Sequence, residues 1–503
     1  MTPIRLVTVA ALLLATAAAG DDRTGDNTDA VANAVNRAVN SPNNGTNTEP
    51  ANCPAVAYAL QQLGALDARR SQFQLDNGLT VILLPDAEAS TVAVVTTVQV
   101  GARDEQDGET GYAHLFEHLM FKGSDGVPDG AYSQRVNGVG GSFNAETDFD
   151  RTSYYVTAPA EALEQLLWLE AERFRAPDLS AEKVHNQIAA VREEMALTVD
   201  NVPFMRSGSE LLFTQLQGSD YDHLVLGSVA DLDAATAEKL QAFYQRHYRP
   251  ERAVLVLAGR FDAAVARQWL QRDWSRWHAH GDAAAITPLQ RPLARAFDAT
   301  LVDSRAPWPA LLLAWQTVPD DHPDAAAVAL VYEQMLRGEQ GQLRQRLLAK
   351  QWLLHSAELP LQLPRLGLAH FIAVPRAAAA LTDLETEVRA AFTELAQQAP
   401  SEQQLCELKT ARLRRLIGVA EGPLMLGYRE SIDQALWQQS RLLAEVSGLQ
   451  QVTSADMSRV TAQYFLRNQL TLTLSPPWYL RWAKRVLEWL PVSWSEALEA
   501  KAL

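Results

Sequence analysis

The 503-residue chain is expected to fold as an α+β protein of two similar domains, each a mainly antiparallel β-sheet packed with helices. Three observations carry this expectation. First, segment 231–257 (DLDAATAEKLQAFYQRHYRPERAVLVL) lines up with 448–474 (GLQQVTSADMSRVTAQYFLRNQLTLTL) at a constant spacing of 217 (448 − 231). Leu232 meets Leu449, Thr236 meets Thr453, Leu240 meets Met457, Phe243 meets Val460 and Tyr248 meets Phe465. Both copies read as a capped helix, a short connection and a terminal strand, which is the mark of a duplicated unit. Second, β-rich runs bounded by turn signals occur where a sheet would start. Residues 72–84 (QFQLDNGLTVILL) read as two strands around an Asn77-Gly78 hairpin turn, and 91–100 (TVAVVTTVQV) as a further strand. Third, 47% apolar and 21% charged residues are ordinary globular composition, which excludes a chain disordered throughout, a collagen-like chain and a disulfide-dense scaffold.

Taken in order, residues 1–19 (MTPIRLVTVAALLLATAAA) have one Arg, an apolar run from Leu6 to Leu14 and small residues Ala17 to Ala19. That is the pattern of a secretory signal peptide, and the run falls short of the ~20 residues needed to span a bilayer. A periplasmic or otherwise exported location is expected, with no membrane span left after signal removal. Residues 20–65 are expected to be a flexible linker, because 20–50 are rich in Asn, Thr, Asp and Gly and bury too little apolar surface to offset chain entropy. Ordered structure is expected from about Arg70. The first domain is assigned to 66–280 and the second to 295–478, joined near 279–297. A Trp-rich tail, 479–503, is expected to pack on its own domain.

Lys and Arg total 44 against 60 Asp and Glu, a net charge of −16. Such a balance argues against nucleic-acid binding and favours cationic partners. Cys53 and Cys406 are too few for a cysteine-based zinc site. Whether they pair is left open by their separation.

The segment that carries chemistry is ETGYAHLFEHLMFKG (109–123). It reads as a helix with Thr110 as N-cap and Gly123 as stop. His114 and His118 are four apart and share a face, so both imidazoles can address one ion. Glu117 sits beside them, able to take a proton from water and later deliver it to a leaving amine. H-x-x-E-H is the inverted form of the H-E-x-x-H zinc motif. Catalytic zinc takes three protein ligands and keeps one position open. A third candidate lies in the helix read for 180–201, where Val184, Ile188, Val191 and Met195 form an apolar stripe flanked by Glu193 and Glu194. Periodicity alone does not choose between these two acids.

HLFEHLMFKGS (114–124), GGSFNAETDFDRTSYY (140–155) and VREEM (191–195) together resemble the pitrilysin/insulinase family of zinc metallopeptidases, closest to the mitochondrial-processing-peptidase-like subfamily and its bacterial relatives. The resemblance extends through LGSVADL (226–232) and RHYRPERAVLVLAG (246–259). It implies that each chain forms half of a clamshell and that one Zn²⁺ is held by His114, His118 and Glu194, with Glu117 catalytic. It also implies that Asn144 and Ala145 lie on an edge strand that pairs with an extended peptide substrate, as in β-augmentation.

Two departures accompany the resemblance. Where the family often has a carboxylate behind the zinc ligands, this chain has Gln187, which hydrogen-bonds without charge. The resemblance places Leu348 and His355 where the family has an Arg and a Tyr, seven apart in the second half. At the repeat spacing, His114, Glu117 and His118 map to Val331, Gln334 and Met335, so the second domain is expected to lack a metal site. The resemblance therefore implies the zinc-bearing chain of a two-chain peptidase, whose homologous partner supplies the Arg/Tyr couple. A non-catalytic peptide-binding or structural subunit of the same family is the alternative reading.

Overall fold

The computed structural model describes residues 53–279, 297–306, 308–376, 381–418, 422–467 and 469–479. The signal-peptide reading, most of the linker, nearly all of the domain junction and the tail beyond Tyr479 lie outside them.

The first domain contains β1 (Ser71–Gln74), β2 (Thr80–Pro85), β3 (Thr91–Val98), β4 (Ser142–Thr147), β5 (Thr152–Pro159) and β6 (Ala253–Gly259). Their order across the sheet is β1-β2-β6-β3-β5-β4. Only β2 and β6 run parallel. The second domain contains β7 (Phe297–Val302), β8 (Ala310–Gln316), β9 (Leu353–Gln362), β10 (Gly367–Pro375) and β11 (Gln469–Ser475), in the order β7-β11-β8-β10-β9. Again only the first pair, β7 and β11, is parallel. Position by position this is the first sheet without its β1. At the spacing of 217, β2 falls on β7 residue for residue, and the helix Ala237–His247 starts where Ser454–Val460 starts. Thr236 and Thr453 cap those two helices through their side chains. The two-domain α+β expectation is met, and the Asn77-Gly78 hairpin forms with Gly78 at φ 92°.

Each sheet packs its own domain's helices into a shared core. In the first domain α2 is Tyr112–Leu119 and α3 is Ala181–Met195. They share a core with Val94, Tyr154, Val156, Leu255 and Leu257 of the sheet. In the second domain α4 (Ala325–Met335), α5 (Glu402–Gly418) and α7 (Leu442–Gln451) bury Val328, Val331, Leu413 and Val446 against Leu313, Trp315 and Phe371.

Two helices cross between the domains. Helix α1 (Pro54–Asp67) precedes the first domain in sequence but places Cys53, Val56, Ala59 and Leu63 in the second domain's core. Cys53 forms a disulfide with Cys406 of α5. This corrects the linker reading for its last part: residues 54–65 are helical, ahead of the start expected near Arg70. Their apolar face is satisfied by residues some 350 positions away, which local composition does not reveal. In the other direction, α6 (Gly422–Trp437) lies on the far face of the first sheet, with Leu426 and Ala435 against Ile82, Val254, Val256 and Ala258. A Cβ at Gly427 would stand 3.3 Å from Val95 Cγ2, so a larger residue would make that side chain or the helix give by a few tenths of an ångström. Arg70, between α1 and β1, holds Glu430 at 2.5 Å and Gln434 at 2.9 Å on α6.

Candidate metal centre

Helix α2 is shorter than its sequence suggested. Thr110 does not cap it: its hydroxyl donates to Asp231 instead. Gly111 occupies the cap position at φ 93°, and no side chain of the cap residue bonds the helix. The capping is done from outside by Glu105, whose carboxylate accepts from the backbone N–H of Gly111 and of Ala113, both at 2.7 Å. Burial pushes the Glu105 carboxyl well above its usual range, although these two bonds pull it down. The helix ends at Leu119, short of Gly123, which adopts φ 108° in the following turn.

His114 and His118 leave the same face of α2, with ring centroids 4.8 Å apart. Helix α3 packs across them. Val184, Val191 and Met195 are buried on its core face, and Gln187 is buried among them. Of the two acids left open, Glu193 is exposed. Glu194 turns inward, with Oε2 3.8 Å from His114 Nε2 and 3.4 Å from His118 Nε2. The three donor atoms lie within 4.8 Å of one another.

These residues fit zinc. Both ring nitrogens of His114 and Nε2 of His118 are buried without a hydrogen-bond partner among the described residues. Buried polar atoms are normally satisfied, so two unpartnered Nε2 atoms facing one carboxylate point to an ion. Tetrahedral N and O ligands at about 2.0–2.2 Å from zinc stand roughly 3.4 Å apart, close to the separations found here. Burial, reinforced by His118, holds His114 down at about 4, so its imidazole is neutral near pH 7 and one ring nitrogen has its lone pair available.

Glu117 is buried one turn from the ligands. Burial pushes its carboxyl up to about 7, against the lowering effect of a hydrogen bond from Thr147 and of nearby His118. Thr147 Oγ1 donates to Glu117 Oε2 at 2.6 Å. Thr147 is the last residue of β4, which has β5 on one side and no other strand in the sheet order. Asn144 and Ala145 lie on this edge strand, Ala145 with its side chain buried. The edge strand thus meets the acid at its end. Leu348, 37% exposed, lies on the helix Gln342–Ala349, and His355 lies on β9. Sequence reading missed Glu105 and Thr147. The T of the quoted NAET run was the visible trace of Thr147, while Glu105 had no local signal.

Two mainly antiparallel α+β domains, with a cluster of His114, His118 and Glu194 and the buried Glu117 beside it, make a candidate metal-binding scaffold. Comparison with protein families is specific. The insulinase (peptidase family M16) model matches residues 80–212, and the peptidase M16 inactive-domain model matches residues 234–412. The chain belongs to the M16 family of zinc proteases. It is 28% identical over 186 residues to the zinc protease PqqE of Helicobacter pylori, covering 37% of this chain and 42% of that one. It is also 28% identical over 188 residues to a probable mitochondrial-processing peptidase subunit beta of Arabidopsis thaliana, covering 37% and 35%. The matched stretch therefore spans less than half of either relative. The periplasmic protease PqqL of Escherichia coli has a similar fold, with a TM-score of 0.67 at 20% identity over 87% of this chain and 50% of that one.

Proposed function

We propose that the chain is a zinc-dependent endopeptidase acting on extended or unfolded peptides. The observation that carries the reading is the convergence of His114, His118 and Glu194 beside the buried Glu117. His114, His118 and Glu194 would hold Zn²⁺, which lowers the pKa of water in the site and polarises a carbonyl. Glu117 takes the proton from the attacking water and passes it to the leaving amine. A carboxyl lifted to about 7 suits both halves of that task. Thr147 fixes one Glu117 oxygen and leaves the other for the proton. The peptide is held by backbone bonds along β4 at Asn144–Ala145, and Gln187 stands behind the ligands on α3.

The test is elemental analysis combined with a peptide-cleavage assay. The wild type is expected to carry one zinc and to lose cleavage to a chelator. Glu117→Gln is expected to keep zinc and lose about 10²–10⁴-fold in turnover. Retained turnover in metal-loaded Glu117→Gln contradicts the role given to Glu117. A wild type that binds no metal favours instead a non-catalytic subunit.

The active assembly is read as a two-chain clamshell in which a homologous partner supplies the Arg/Tyr couple absent at Leu348 and His355. Support comes from PqqL, of which this chain covers half. Full activity of the lone monomer refutes this. Export to an oxidising compartment such as the periplasm is supported by the Cys53–Cys406 bridge and by the periplasmic PqqL.

A further inference from the structure

The ligand Glu194 does not end its helix. The chain continues from α3 directly into a π-helical turn, Ala196–Asp200. Asn201 N–H closes that turn on the Ala196 carbonyl at 2.8 Å, and the Thr198 hydroxyl donates to the Glu194 carbonyl at 2.8 Å. Wide turns of this kind are uncommon and concentrate at functional sites. Whatever fixes the far end of this turn therefore acts on the backbone that carries the ligand.

The far end is fixed by the other domain. Phe204 adopts φ 68° and ψ −17°, a left-handed conformation that a bulky side chain rarely takes. The chain uses glycine for positive φ at many other positions, among them Gly111 and Gly123. At 204 a ring is present instead, and it packs against the second domain's cluster of Trp308, Ala310, Val374, Leu472 and Leu474. The Phe204 N–H donates to Asp303 Oδ2 at 3.0 Å. Asp303 is buried, and its other oxygen accepts from Arg305 N–H at 2.8 Å. Arg305 Nη1 reaches back to Asn201 Oδ1 at 3.2 Å. Strained backbone of this kind persists only where the surroundings over-determine it.

We propose that Phe204 and Asp303 are positioning residues for the metal ligand Glu194, so that the second domain, which contributes no ligand, sets zinc affinity. This rests on the His114–His118–Glu194 reading above. The ring and the buried carboxylate clamp the π-helical turn from the second domain. The turn in turn fixes where the Glu194 carboxylate stands relative to the two imidazoles. Simple domain packing would give these residues a role in stability and none in metal affinity.

The test measures zinc dissociation constants by competition with a chromophoric chelator, and the visible absorption of the cobalt-substituted chain. Phe204→Gly relaxes the backbone while removing the ring, and Asp303→Ala removes the acceptor. Both are expected to weaken zinc about tenfold or more, the range for groups that orient ligands, and to change the cobalt bands. Phe204→Leu, which keeps an apolar side chain in the cluster, is expected to restore most of the affinity. If Asp303→Ala fails to fold, Phe204→Gly decides alone, because glycine favours the conformation found there. Variants with wild-type circular dichroism that bind zinc within twofold of the wild type overturn the proposal. A wild-type chain that binds no zinc overturns the metal centre itself, and this inference with it.

Discussion

One sheet order is used twice in this chain, and the helix laid on each copy differs in what it buries. On α4 of the second domain, the positions equivalent to His114 and His118 are Val331 and Met335, both fully buried and apolar. On α2 of the first, His114 is just as buried, yet its ring nitrogens have no hydrogen-bond partner among the described residues. The second domain shows what the scaffold accepts at no polar cost, and the first accepts that cost where a ligand set is assembled. The cross-links divide in the same way. The candidate metal centre ties α2 to α3 in the first domain, and the Cys53–Cys406 bridge ties α1 to α5 in the second.

Cutting the second cross-link is the largest test of that division. Cys53→Ser with Cys406→Ser is expected to cost about 2–5 kcal/mol, the usual loss for a native disulfide. Hydrogen exchange is expected to show the loss in residues 54–67 and 402–418, while α2 and α3 keep their protection. A uniform loss over both domains would mean that they unfold as one unit and that the division has no energetic content.

The same contrast separates what was legible in the sequence from what was not. The hairpin at 72–84, the strand at 91–98 and the repeated helix-to-strand unit were readable because each depends on local periodicity and turn chemistry. The H-x-x-E-H pair was readable because helix spacing places His114 and His118 on one face. Helix α1 was not, since its apolar stripe gains meaning only against α5 and α7. Nor was the cap of α2, which comes from Glu105 rather than from the Thr110 that local rules favour. The choice of Glu194 over Glu193 was implied by the family resemblance alone; read from the residues it requires the packing angle of α3 on α2, which periodicity does not contain.

A smaller test transplants the second domain's solution into the first. His114→Val with His118→Met is expected to abolish zinc binding and to make the metal-free chain more stable than the metal-free wild type by about 1–3 kcal/mol, the cost of leaving buried polar groups unpaired. The gain has a pH signature. In the folded chain His114 is held down at about 4 from 6.5, so between these values the unfolded state binds the extra proton and wild-type stability falls as pH falls. The variant lacks that loss, and its advantage in chemical denaturation is expected to widen from pH 6.5 toward pH 4. A wild type at least as stable as the variant would show that the imidazoles are satisfied without metal.

The smallest expected effect concerns the cap that only the first of these two helices has. Helix α4 starts at Asp324 without a side-chain cap bond, whereas α2 depends on the two backbone bonds to Glu105. Glu105→Gln keeps one acceptor oxygen, removes the other, and takes a negative charge from a helix N-terminus. It is expected to cost about 1 kcal/mol near neutral pH, read by denaturation of the metal-free chain. Because burial raises the Glu105 carboxyl, acidification protonates it in the folded state. The folded chain takes up this proton before the unfolded chain does, so wild-type stability rises on acidification and the difference between variant and wild type should widen as pH falls, with His223, 3.7 Å from Glu105, left unchanged in both chains. A difference that shrinks on acidification would mean that the two backbone bonds outweigh burial and hold the folded carboxyl below its unfolded value.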